Sequence, residues 1–206
     1  GISRAAVWKA LRKADDDLGL GIESVRGQGY RLPRGLELLD AARIRSAMSA
    51  RPRERLSEVE VLADIDSTSS HVLRRAGEGA ASGLACLAER QRAGRGRRGR
   101  TWVSPFGANL YLSILWRYSL APADLGGLSL AAGVAVADAL SAAGASGIVL
   151  KWPNDVHWQR RKLAGLLLEV SGEAHGPSQV VLGVGANIRL DAAQAEGIDQ
   201  PWVDLQ

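Results

Sequence analysis

Residues 91–105 read QRAGRGRRGRTWVSP, and positions 91 to 100 alone hold five arginines and three glycines. Glycine lets consecutive backbone amides converge on an anion, and the guanidinium fork grips phosphate or carboxylate oxygens in pairs. Each such charge-assisted bond contributes about 1.5–3 kcal/mol. Three occupants compete for the segment: nucleic acid, a small phosphate or carboxylate ligand, or solvent alone. Arginine-glycine tails that bind RNA are disordered and poor in apolar residues. This segment instead lies between two strand-like runs, GLACLAE (83–89) and NLYLSILW (109–116). Pinned ends favour a loop that orders around a small anion. Gly94, Gly96 and Gly99 also satisfy G-x-G-x-x-G, and residues 94–101 approximate a P-loop with Arg100 in place of lysine. Both motifs need a helix next. Pro105, Gly107 and the alternation after Asn109 predict a strand, which excludes the dinucleotide fold and the P-loop.

Further polar groups fall at strand ends. KWPNDV (151–156) closes a strand at Pro153 and leaves Asn154 and Asp155 at the sheet's edge. RKLAGLLLEV (161–170) sets Lys162 just before a strand that reads as buried, where a cation needs a partner. GVGANI (183–188) ends another strand in glycines, against which a flat ligand could lie, followed by Asn187. Asp66-Ser67-Thr68-Ser69-Ser70 follows the alternating run VEVLADI and caps a helix expected from about Ser70 to Arg75.

These groups need a frame. Strand patterns at VEVLADI, GLACLAE, NLYLSILW, GIVLKW, KLAGLLLEV and QVVLGVGANI, with a long Ala-rich helix over about 125–143, predict one α/β domain with a mainly antiparallel or mixed sheet. Upstream, a helix is expected from Asp40 to about Met48, and SARPRERLSE reads as a linker. At the N-terminus, Ser3 caps a helix from Arg4 to about Lys13. A hairpin then turns at Arg26-Gly27-Gln28-Gly29. Helix then basic hairpin matches the second half of a winged helix-turn-helix, equally an ordinary amphipathic helix with a hairpin. In the first reading Ser3, Arg4, Ala5, Trp8 and Lys9 meet DNA. Such a fragment cannot bury a core, so further helices are expected upstream.

Composition narrows the classes. The net charge of +4 turns slightly negative without the six arginines between Arg90 and Arg100, so the basicity is local. One cysteine, Cys86, excludes an internal disulfide and points to a reducing, cytoplasmic compartment. No apolar run of about 18 residues is read, so no membrane span is expected.

Taken together, DST, QRAGRGRRGRTWVSPFGANLYLS, KWPNDV, RKLAGLLLEV and GVGANI resemble the biotin protein ligases. With SRAAVWKAL and GQGYRLP at the N-terminus, the chain is similar to the bifunctional type that also represses biotin synthesis genes. The resemblance implies an α+β protein. Residues 1–34 would form a partial winged helix-turn-helix, 35–58 a helix and linker, and 59–206 the mixed-sheet catalytic domain. The family's C-terminal SH3-like barrel is expected to be absent from this chain. It implies formation of biotinyl-5′-AMP from biotin and ATP with Mg²⁺, then transfer of biotin to a lysine of a biotin carboxyl carrier protein. No resident metal site is implied. Operator DNA and a second copy of the chain, loaded with the adenylate, are the other implied partners. Ser67, Thr68, Ser69 and Gln91 would hold biotin, with Ser69 where the family often carries Asn. Arg95, Gly96 and Arg97 would form the loop over the adenylate. Lys162 would contact biotin and the activated carboxyl group. Arg97, Trp102, Asn154 and Asn187 would meet the nucleotide, and Asp155 would assist deprotonation of the acceptor lysine. A lipoyl or octanoyl ligase or transferase of the same fold, and a ligand-sensing DNA-binding regulator without ligase activity, are the alternatives.

Overall fold

The computed structural model describes residues 1–33 and 35–206. Arg34, the last residue of the first expected segment, lies outside them. Helix α1 spans Arg4–Leu18, with the Ser3 side chain accepting from the Ala6 N–H. It runs past the expected end at Lys13, through three aspartates, because the stop signal is Gly19 at φ 66°, which closes the helix onto Asp15 O. Strands β1 (Glu23–Val25) and β2 (Gly29–Arg31) form the expected antiparallel hairpin. No residue of α1 is buried, and Trp8 is half exposed beneath Arg12.

Helix α2 (Ala41–Ala47) starts at an Asp40 cap. The expected linker instead contains a helix, α3 (Ala50–Arg55). Pro52 does not break it, since proline is tolerated in a first helical turn whose N–H groups have no intrahelical partner.

The body of the chain is a seven-stranded mixed sheet. Its strands are β3 (Glu58–Leu62), β4 (Leu84–Ala88), β5 (Leu110–Tyr118), β6 (Val149–Lys151), β7 (Asp155–Trp158), β8 (Arg161–Gly172) and β9 (Ser178–Ala186). The order is β3-β4-β5-β9-β8-β7-β6, with only β3 and β4 parallel. Helix α4 (Thr68–Gly77) crosses over between that parallel pair and buries Val72 and Ala76 against Leu84, Cys86, Leu115 and Val181. Helix α5 (Leu128–Ala142) lies over the other half of the sheet, where Ala132 and Leu140 join Val156, Leu163 and Leu166 in a second core.

One expectation about hydropathy needs correction. Pro122–Ala142 is apolar and long enough by composition to cross a membrane. The segment is divided, however, into a 3₁₀ turn (Pro122–Leu125) and then α5. The 15 residues of α5 span about 22 Å at the α-helical rise, short of the roughly 30 Å of a bilayer's hydrocarbon core. One face of α5 packs on the sheet while Leu130 and Val134 face outward.

Candidate functional site

The polar cluster after β3 and the start of the arginine loop are joined by backbone. Ile65 bridges Gln91 in parallel register, Arg92 donates to Ile65 O and Ala93 donates to Asp66 O, both at 2.8 Å. This extends the β3–β4 pairing and sets the N-terminus of α4 beside Gln91. The Ser67 hydroxyl accepts the Ser70 N–H at 3.4 Å and so serves as the helix cap. It is 2% exposed and does not line the adjoining cavity, unlike Thr68, Ser69 and Gln91. The Thr68 N–H and hydroxyl both donate to Gln91 Oε1, at 2.9 and 3.0 Å. Gln91 Nε2 donates to Ser104 Oγ at 3.1 Å, and Ser104 donates to Trp102 O at 2.9 Å.

The arginine loop then folds as a flap. Arg95 bridges Thr101 in antiparallel register, and the tip turns through Arg98 at φ 56° and Gly99 at φ 72°. No α-helix follows, as the absence of a P-loop requires. Gly94 permits the fold: a Cβ there would stand 2.5 Å from Trp102 O and 2.7 Å from Ser104 Oγ. Arg95 makes a two-pronged ion pair with Glu169 of β8, at 2.9 and 2.6 Å. Arg97 donates to Asn154 Oδ1 at 3.2 Å, and Asn154 Nδ2 donates to Leu166 O at 2.7 Å.

Asn154 and Asp155 are not at a strand's free end. Pro153 does stop β6, but the chain doubles back at once into β7, which has Asp155 as its first residue. Lys162 is the second residue of β8, and its Nζ lies 2.9 Å from Asp155 Oδ1. The strand-end glycines expected to carry a flat ligand carry the Trp102 indole. A Cβ on Gly185 would meet its ring at 2.4 Å and one on Gly165 at 2.9 Å, while Lys162 Nζ stands 5.3 Å from the ring centroid. Among the described residues Trp102 Nε1 is buried and has no hydrogen-bond partner. Asn187 is buried and directs its Nδ2 to Val203 O at 3.1 Å and Lys162 O at 3.4 Å, tying the C-terminal segment to β8.

The flap, the α4 N-terminus, the β6–β7 turn and β8 thus enclose one cavity of about 570 Å³. Among the described residues, Arg95, Arg97, Arg98, Arg100, Lys151 and Lys162 line it, against the carboxylates of Asp155 and Asp199. That surplus of positive charge suits an anionic ligand with several oxygens. Asp199 and Trp202 were not legible as site residues, since no motif marks them; they arrive because Lys162 pairs in register with Trp202. A separate cluster of Glu60, His71 and Cys86 lies outside the cavity. Arg75 ion-pairs with Glu60 there, and burial pushes the Cys86 thiol up to about 12, so neither group is set up to hold a cation.

The chain has relatives in sequence and in fold. The chain is 46% identical over all 206 residues to the bifunctional ligase/repressor BirA of Salmonella typhimurium and 44% identical to that of Escherichia coli, covering 62% of each. It therefore spans about three-fifths of the length of these relatives. The biotin protein ligase of Aquifex aeolicus, in complex with biotin and ATP, superposes with a TM-score of 0.58 at 31% identity, over 73% of this chain and 60% of that one. The cavity walls from Thr68 to Asn187 fall inside residues 61–187, the stretch matched by the model of the biotin/lipoate A/B protein ligase family, and the chain belongs to that family.

Proposed function

We propose that the chain activates biotin with ATP, forming biotinyl-5′-AMP, and then transfers biotin to a lysine of a biotin carboxyl carrier domain. The observation that carries this reading is the meeting, in one cavity, of the hydroxyl–amide set Thr68, Ser69 and Gln91 with the cations Arg95, Arg97 and Lys162. The first set presents hydroxyl and amide oxygens that suit the N–H donors of a ring urea. The second suits the approach of a carboxylate to a phosphate, two anions that repel until positive charge lies between them.

Each residue has a task in this scheme. Thr68, Ser69 and Gln91 bind the ureido ring, with Ser67 holding the helix end that presents them. Lys162, oriented by Asp155, lies against the carboxylate as its oxygen attacks the α-phosphorus and pyrophosphate leaves. Arg95, Gly96 and Arg97 close over the resulting mixed anhydride and keep water from it. Trp102, Asn154 and Asn187 border the nucleotide end. Asp155 Oδ1 and Asn154 Oδ1 already meet Lys162 Nζ and the Arg97 guanidinium, so Mg²⁺ would come to this end of the cavity on the ATP phosphates and screen them, with the carboxylate of Asp155 and the amide oxygen of Asn154 as hard donors only where the ligand draws those cations to itself. In the second step the acceptor amine, with an ordinary pKa of about 10.4, loses its proton as it attacks the acyl carbon and AMP departs; Asp155 is the candidate to take that proton.

The same reading extends to the whole protein. Residues 1–34, with Ser3, Arg4, Ala5, Trp8 and Lys9 on the exposed helix α1, belong to an operator-binding unit, as the repressor names of the relatives suggest. Residues 35–58 connect it to the catalytic unit at 59–206, a second adenylate-loaded copy is the partner on DNA, and the setting is the cytoplasm. Isotope exchange between pyrophosphate and ATP tests the first step. Exchange that requires biotin supports it; exchange supported by lipoate and not by biotin assigns the chain to the lipoyl branch, and operator binding without any exchange makes it a regulator only.

A further inference from the structure

Ser113 is a fully buried serine in the middle of β5. It does not line the cavity, and its neighbours in register are Cys86 on β4 and Gly183 on β9. Its hydroxyl lies 2.9 Å from Thr68 Oγ1 and 3.0 Å from Ser69 Oγ. Distances alone leave the direction of these two bonds open, but the surrounding groups fix it.

The Thr68 backbone N–H can only donate, so the Gln91 atom facing it is the carbonyl oxygen. That oxygen can only accept, so the Thr68 hydroxyl proton points to Gln91. A hydroxyl has one proton, so Thr68 Oγ1 must accept from Ser113. Ser113 has then spent its own proton and must accept from Ser69. At the other end the Gln91 amide donates to Ser104, which passes its proton to Trp102 O. The polar wall is therefore a one-way relay: Ser69 to Ser113 to Thr68 to Gln91 to Ser104 to the Trp102 carbonyl.

We infer that Ser113, without touching the ligand, is the positioning residue that holds Ser69 as a pure hydrogen-bond acceptor towards the cavity, beside Thr68, whose proton Gln91 already takes. With both hydroxyl protons committed inward, the wall recognises a ligand head that carries N–H donors. It repels a head that presents a lone pair at the same place. Without Ser113, the Ser69 proton is released and can turn to the ligand, so that the wall accepts either. A site that pairs with an N–H discriminates strongly against an analogue lacking it, because its buried acceptor is left unmatched. The inference rests on the biotin reading of the cavity and adds to it the group that enforces selectivity for the urea.

The test compares biotin with its cyclic carbamate analogues, in which a ring oxygen replaces one or the other urea N–H, by calorimetric Kd. Wild-type protein should bind biotin at least about tenfold more tightly than the less favoured analogue. Ser113→Ala should shrink that ratio at least about threefold, and Ser113→Thr, which keeps the hydroxyl, should restore most of it. Ser69→Ala, which leaves the strand intact, should shrink it as well. Parallel weakening of both ligands in Ser113→Ala, or an unchanged ratio in Ser69→Ala, overturns the assignment of Ser113 while biotin binding by the wild type stands. Failure of the wild type to bind biotin removes the underlying reading and this inference with it.

Discussion

Lys162 Nζ stands 2.9 Å from Asp155 Oδ1, although the β7–β8 ladder sets Lys162 opposite His157 and Asp155 opposite Gly165. A register shift between Val156 and His157 brings the two ends together. Bulges of this type re-aim side chains beside functional sites. Both side chains are largely buried, at 13% and 18% exposure, so each is the other's main compensation for lost hydration.

Lys162→Ala should reduce adenylate synthesis by at least a hundredfold, the range seen when one preorganised donor to a developing charge is removed. It should also lower stability, because Asp155 is left as an unpaired, mostly buried charge. Adding Asp155→Asn should return most of that stability and none of the activity. Urea unfolding of the single and double variants, alongside pyrophosphate exchange, measures both. Near-normal exchange in Lys162→Ala would take the lysine out of the chemistry.

Arg95 is held by Glu169, and the pair is partly exposed, at 40% and 24%. Ion pairs of this exposure contribute about 0.2–1 kcal/mol. Glu169→Gln should therefore open the flap only severalfold more often and speed proteolysis between residues 91 and 104 in the free protein. Biotin with ATP should protect the same segment in the wild type, since Arg95 and Arg97 would then hold the ligand. Arg97→Ala should raise the rate of adenylate release. Cleavage that ignores the ligand would show that the flap does not close over it.

The parts of this site written as runs of unusual residues were legible in the sequence: the arginine loop, the Asp-Ser-Thr cap, Lys162. Strand β7 was not, because its four residues follow a proline and end in a turn through Gln159 and Arg160, both at positive φ. Helix α3 was hidden by a proline that its first turn accommodates. Ser113 was invisible for another reason. It occupies an inward position of an alternating strand, between Leu112 and Ile114, where the pattern predicts a core residue. Only the fold reveals that α4 sets two hydroxyls against it.

Gly185 tests the seat of Trp102. A methyl group at Gly185 would stand 2.4 Å from the indole, so Gly185→Ala must displace the ring. The expected result is a shift in Trp102 emission, isolated by subtracting a Trp102→Phe variant, together with at least tenfold weaker adenylate binding and little change in biotin binding alone. An unaltered Trp102 signal would mean that the ring does not rest on this glycine in solution.

Glu89 gives the pH dependence a definite sign. It is a buried carboxyl at the end of β4 that accepts the Leu39 N–H at 2.5 Å, joining the segment before α2 to the sheet. Burial raises its pKa above the usual carboxylate value, and the Leu39 bond only partly opposes this. The folded state thus holds this proton more tightly than the unfolded chain. The contribution of Glu89 to stability is complete below the unfolded value, near 4.5, and is lost as pH rises through the folded one. Glu89→Gln keeps an acceptor for Leu39 and cannot ionise. The variant should gain stability relative to the wild type as pH is raised from 4 to 8, measured as the difference in Tm across that range. A difference that stays flat, or grows toward low pH, would show that this carboxyl is not destabilised by its burial.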